Sequence, residues 1–192
     1  RTIYDNIVKF VRFQLSTNIG AILTVLGAPF LGYATPFSAI QILWVNIIMD
    51  GPPAMTLGVE PARAGIMHEP PRATDTTILS WQRLWRIALY GLTMAVGTLI
   101  AYGWGLANGG EAEARTLAFT TFVLFQFFNI FNARTEHGTA FNRQFFSNGK
   151  LWFALSAVVL LQIVAVHWGP AQKVFDTVDL SLSEWALAVG LA

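Results

Sequence analysis

Five apolar runs dominate this chain, at about Phe10–Leu31, Phe37–Leu57, Leu84–Leu106, Leu117–Ala133 and Leu151–Trp168. Each is close to the roughly 20 residues that an α-helix needs to cross the hydrocarbon of a bilayer. A sixth, Leu180–Ala192, falls short of a full span. The chain is 54% hydrophobic and only 12% charged, against about 25% charged in soluble domains. The expected fold class is therefore an all-α membrane protein: a polytopic transmembrane helix bundle with five full spans and a truncated sixth.

A net charge of +1 with no basic run gives no footing for nucleic acid, and the absence of cysteine excludes disulfides and thiolate metal sites. The chain starts at Arg1 with no signal-peptide pattern, and the expectation is a piece of a longer chain. The short connection Gly32–Pro36 makes the first two helices a tight antiparallel hairpin. Asn108-Gly109-Gly110-Glu111 reads as a polar turn between the third and fourth. The longest connection, Gly58–Arg83, is polar and holds Pro61, Pro70 and Pro71.

Lys and Arg set the orientation. Arg1, Lys9, Arg12, Arg63, Arg72, Arg83, Arg86, Arg134, Arg143 and Lys150 fall on one side, and only Arg115 and Lys173 on the other. The N-terminus, the 58–83 loop and the 134–150 loop are thus expected on the cytoplasmic side of a multi-pass protein. For a bacterial source that is a plasma or inner membrane. Trp81, Trp85, Trp104, Trp152, Trp168 and Trp185 lie near expected helix ends, where indoles anchor in the headgroup layer. Gly97, Ala101 and Gly105 form a small-residue stripe for close helix packing.

Asp50 is the one acidic residue set deep within an apolar run. A carboxylate there costs several kcal/mol unless it faces a bundle interior or polar cavity, which points to a cation or proton path. Asn46, four residues earlier, is expected to stack on the same helix face. Gly51-Pro52-Pro53 follows, and prolines cannot donate to a helix, so nearby carbonyls are freed. Broken helices of this type form mid-membrane ion sites. A carboxylate, an amide oxygen and free carbonyls suit Ca²⁺, Mn²⁺ or Mg²⁺ rather than zinc or copper. Asn18 stands at comparable depth in the first helix, either as a third oxygen or as an interhelical bond. Gln126, Asn129 and Asn132 form a polar stripe on the fourth helix, read first as interhelical glue. His68, His137 and His167 lack ligand-like spacing, and no nucleophile–base pair or phosphate-cradling loop is present.

Gln41-Ile-Leu-Trp-Val-Asn-Ile-Ile-Met-Asp-Gly-Pro-Pro-Ala54, Leu57-Gly-Val-Glu-Pro61 and Pro70-Pro-Arg72 resemble the sixth transmembrane helix and following loop of calcium-type P-type ATPases. Phe10-Val-Arg-Phe-Gln-Leu-Ser-Thr17 is similar to their fifth helix, nearest the secretory-pathway Ca²⁺/Mn²⁺ pumps. The resemblance covers essentially the whole chain, as helices five to ten. It implies that residues 1–192 are a C-terminal cation-transport domain, with 58–83 as a cytoplasmic loop within it.

By position, the resemblance makes Asn46 and Asp50 ligands of the ion site that calcium-type members share. Asn18 matches a fifth-helix asparagine associated with the other site of two-ion pumps. That other site looks dismantled: Ala21 and Gln126 stand where two-ion pumps have glutamates, and Met49 where they have a threonine. One ion per cycle is implied. Met55 departs from the glutamine common there in secretory-pathway pumps, which bears on manganese selectivity.

The resemblance also implies partners: the lipid bilayer, the N-terminal helices, and the actuator, phosphorylation and nucleotide domains of the same pump. Those domains would use ATP and Mg²⁺. No catalytic residue lies in this chain, so alone it would be inactive. Two alternatives stand beside this reading: a pump for Na⁺, H⁺ or Mg²⁺, and a self-contained six-helix channel or scaffold.

Overall fold

The computed structural model describes residues 1–49, 51–62, 66, 78–135 and 145–192. The expectations placed on Asp50, His68, His137, Pro70-Pro71-Arg72 and most of the 58–83 loop lie outside them. The described residues form α-helices and no strands. These are α1 (Thr2–Phe30), α2 (Ala39–Ile48), α3 (Pro52–Gly58), α4 (Trp81–Asn108), α5 (Glu111–Arg134), α6 (Gly149–His167), α7 (Gly169–Phe175) and α8 (Leu182–Leu191).

Helices α1, α4, α5 and α6 are long and apolar enough to cross a membrane. The second expected span is two helices rather than one. α2 stops at Ile48, Met49 caps it, and α3 restarts at Pro52 with prolines in its first two positions. Those positions need no N–H donor, so the prolines that end one helix begin the next.

Helix α5 is the centre of the bundle, with 83% of its apolar stretch buried against 33% to 39% for the other three long helices. α1 packs along α4, α4 along α5, and α8 covers another side of α5. The α4–α5 contact rests on the small-residue stripe. A side chain at Gly97 would collide with the Phe125 ring, one at Gly105 would reach 2.6 Å from Ala114 Cα, and Ala101 between them is fully buried. Outward-facing Ile22, Leu26, Leu89, Val96, Phe153 and Leu160 supply the apolar surface that lipid covers. Trp81, Trp85 and Trp168 stand exposed at helix ends.

α7 and the segment after it were not legible as an element, yet they tie three helices together. Gln41 Nε2 of α2 donates to Phe175 O (3.0 Å), Thr177 Oγ1 to Ala165 O of α6 (2.6 Å), and Val178 N to Thr116 Oγ1 of α5 (3.0 Å).

Candidate ion site and family

The candidate site centres on the break between α2 and α3. Pro52 and Pro53 carry no N–H, so the carbonyls of Ile48 and Met49, four residues back, lose their helical donors. The turn is tight: a Cβ on Gly51 would collide with Ile47 O, so only glycine lets the backbone pass. Met55 N then donates to Gly51 O at 3.0 Å and α3 is under way.

α2 has two unlike faces. Gln41, Val45 and Met49 are buried, whereas Ile42, Leu43, Asn46 and Ile47 are exposed. Asn46 therefore points away from the described bundle. Asn18 on α1 is also exposed, on a stripe continued by Ile22 and Leu26. No hydrogen bond joins Asn18 to Asn46 among the described residues. An amide on an outer apolar face is costly against lipid, so both positions suit a surface covered by further protein.

Of the three positions read as a dismantled second site, two are buried and Ala21 is half-buried. Met49 is fully buried in the main apolar core, Ala21 packs against that core, and Gln126 is 1% exposed. Gln126 Oε1 accepts no hydrogen bond among the described residues. Its stripe neighbour Asn129 does act as glue: Nδ2 donates to Ser16 Oγ of α1 at 2.7 Å. No three His, Cys, Asp or Glu side chains converge among the described residues.

Sequence reasoning missed a polar lock at the far end of α3. Glu60 is buried between Arg134, whose Nε donates to Oε1 at 2.6 Å, and Lys9, whose Nζ lies 3.7 Å from Oε2. Asn6 Nδ2 donates to Glu60 O (2.9 Å) and Gly58 O (3.2 Å), and Asn148 Nδ2 to Thr56 O (3.1 Å). Arg12, also buried, donates to the carbonyls of Asn132, Ala133 and Thr135 at the end of α5. A guanidinium there meets the negative end of the helix dipole. The segment leaving the break is thus bolted to α1, α5 and α6.

On the opposite end of the bundle, His167 Nδ1 lies 2.9 Å from Asp179 Oδ1, and Trp185 Nε1 donates to His167 Nε2 at 3.1 Å. The His167 hydrogen bond, and after it one from Gln172, hold the Asp179 carboxyl below its usual value.

Residues 34–192 match the family model for the C-terminus of cation transporting ATPases. The chain belongs to that family. It is 37% identical over 191 residues to the human "Calcium-transporting ATPase type 2C member 1", covering 98% of this chain and 21% of that protein. It is 36% identical over 194 residues to a "Calcium-transporting ATPase" of Bacillus subtilis, covering all of this chain and 22% of that protein. "Calcium-transporting ATPase 1" of Schizosaccharomyces pombe is 35% identical over 183 residues. The chain thus spans about a fifth of the length of the curated relatives it matches. With four helices long and apolar enough to cross a membrane among the described residues, this cation-transporting ATPase C-terminal region is an integral membrane protein.

Proposed function

We propose that this chain is the ion-translocating membrane region of an ATP-driven calcium pump that moves one ion per cycle, with Mn²⁺ as a further candidate cargo. The observation that carries the reading is the alignment along 98% or more of the chain to the human and bacterial proteins named as calcium-transporting ATPases. The broken helix supports it: a glycine-only turn followed by two donor-less prolines leaves carbonyl oxygens where the sequence supplies Asn46 and Asp50.

In this reading a hard cation is held by the Asp50 carboxylate, the Asn46 amide oxygen and freed carbonyls of the break, with Asn18 as a further oxygen donor. The divalent charge offsets the cost of a carboxylate in the membrane. Ala21, Met49 and Gln126 are the remains of a second site. An alanine offers no oxygen, and a thioether is a poor partner for Ca²⁺. The outward aspect of Asn46 and Asn18 fits closure of the site by the pump's N-terminal helices. ATP, with Mg²⁺, would act on the phosphorylation and nucleotide domains, and the N-terminus and 58–83 loop would face them on the cytoplasmic side. The lock around Glu60 gives a mechanical path from the start of α1 to the break.

The test is radioactive calcium uptake by the full-length pump in vesicles. Asp50→Asn should abolish uptake, and Asn46→Ala should weaken apparent affinity at least tenfold. Uptake left intact in Asp50→Asn would remove the proposed ligand, and sodium-dependent uptake in its place would change the cargo.

A further inference from the structure

Gln162 is the single amide in the apolar run of α6 and is 1% exposed. Both ends of it are used. Its Oε1 accepts from Trp44 Nε1 of α2 at 3.3 Å, and its Nε2 donates to Thr120 Oγ1 of α5 at 3.2 Å, where Thr120 is fully buried. The indole N–H can only donate, which sets the amide with its oxygen toward Trp44 and its NH₂ toward the Thr120 hydroxyl. The Trp44 ring also packs on Phe175, with centroids 4.5 Å apart.

Helical residues two apart point about 200° apart at 3.6 residues per turn. Trp44 and Asn46 are two apart. The bond that turns Trp44 toward α6 thereby turns Asn46 to the opposite side of α2, where it stands exposed. α2 is only Ala39–Ile48, ends at a break, and has few other polar ties: its Ser38–Gln41 capping box and the Gln41 bond to Phe175 O, both near its start. Among the described residues the Trp44–Gln162 bond is the last side-chain hydrogen bond on α2 before Asn46, and it reinforces the rotation that buried Val45 and Met49 give the helix.

We propose that Gln162 is a positioning residue for the cation site: through the Trp44 indole it sets the rotation of α2 and hence where Asn46 points. This inference rests on Asn46 being a ligand, as proposed above. It concerns cargo affinity and not the maximal rate, because neither Gln162 nor Trp44 is assigned to touch the ion.

The experiment is calcium-dependent ATP hydrolysis by the full-length pump, comparing Trp44→Phe, Gln162→Leu, the double variant and Asn46→Ala. Trp44→Phe deletes the N–H while keeping a smaller aromatic ring to pack on Phe175. Each single variant should weaken apparent calcium affinity roughly 3- to 10-fold, the worth of one interhelical bond in a membrane. Maximal rate should stay within about twofold of the parent, and the double variant should be no weaker than the worse single, the mark of a shared interaction. Lower melting temperature with unchanged calcium affinity in Trp44→Phe and Gln162→Leu, while Asn46→Ala is impaired, would overturn the positioning role alone. Unchanged affinity in Asn46→Ala would overturn the ligand assignment, and this inference with it.

Discussion

Arg134 grips Glu60 through Nε at 2.6 Å, in a pairing where the two side chains are 7% and 6% exposed. The residues are 74 positions apart, and each would ordinarily be assigned to a solvated connection. Arg134 also donates from Nη1 to Phe145 O at 2.9 Å. Removing one partner of such a pair strands the other as a buried charge, which costs about 3–5 kcal/mol. Arg134→Met should therefore lower the thermal midpoint of the detergent-solubilised full-length protein far more than Lys9→Met, whose ammonium sits at 3.7 Å. Equal midpoints for the two variants would show that Glu60 does not depend on Arg134.

Glycines in this chain differ in what surrounds them. A Cβ at Gly105 would lie 2.6 Å from Ala114 Cα, a backbone atom, whereas nothing lies within 4 Å of one at Gly58. Gly105→Ala should push α4 from α5 and destabilise by about 1–3 kcal/mol. Gly58→Ala should be neutral, or stabilise by up to about 1 kcal/mol through reduced backbone entropy. Thermal melts of the two variants side by side decide the matter, and a destabilised Gly58→Ala would contradict the packing described.

Asn129 donates to Ser16 Oγ between α5 and α1. Asn129→Leu should cost about 0.6–1.7 kcal/mol, the range for such bonds in membranes. Ser16→Ala made together with it should add little, since the two changes remove one bond. Full additivity in the double variant would mean the pair is not coupled.

Asp179 gives a pH dependence of known sign. Its carboxyl is held below the usual value, first by His167 and then by Gln172. A group with a depressed folded value adds stability above its unfolded value, about 3.9, and that contribution is lost as pH falls through the lower folded value. The midpoint difference between the parent and Asp179→Asn should be present at pH 7 and shrink as pH drops below about 4. A difference that persists unchanged at pH 3 would show that the carboxylate's charge is not what stabilises the α6–α8 connection.

Much of the architecture was legible because it depends on local pattern. Runs of about 20 apolar residues give helices of fixed length, and Pro52-Pro53 announces the break without any tertiary information. The Gly97–Ala101–Gly105 stripe likewise marked a close helix contact through its spacing, but not that α5 is the partner. What could not be read depends on partners distant in sequence. The buried face of α2 is met by partners such as Gln162, which accepts from Trp44 118 residues away. Burial of Glu60 turns on Arg134 and Lys9, while the composition of its own segment reads as exposed loop. The short helix α7 hides behind Gly169-Pro170, residues that read as a stop and here serve as a start.

The proposed calcium site stands or falls on equilibrium binding of radioactive calcium to the intact pump, counted per phosphorylatable pump molecule, with Asp50→Asn measured beside it. The account predicts one ion in the parent and none in the variant. Two ions in the parent would restore the second site that Ala21, Met49 and Gln126 are taken to have lost, and one ion retained in Asp50→Asn would contradict the account outright.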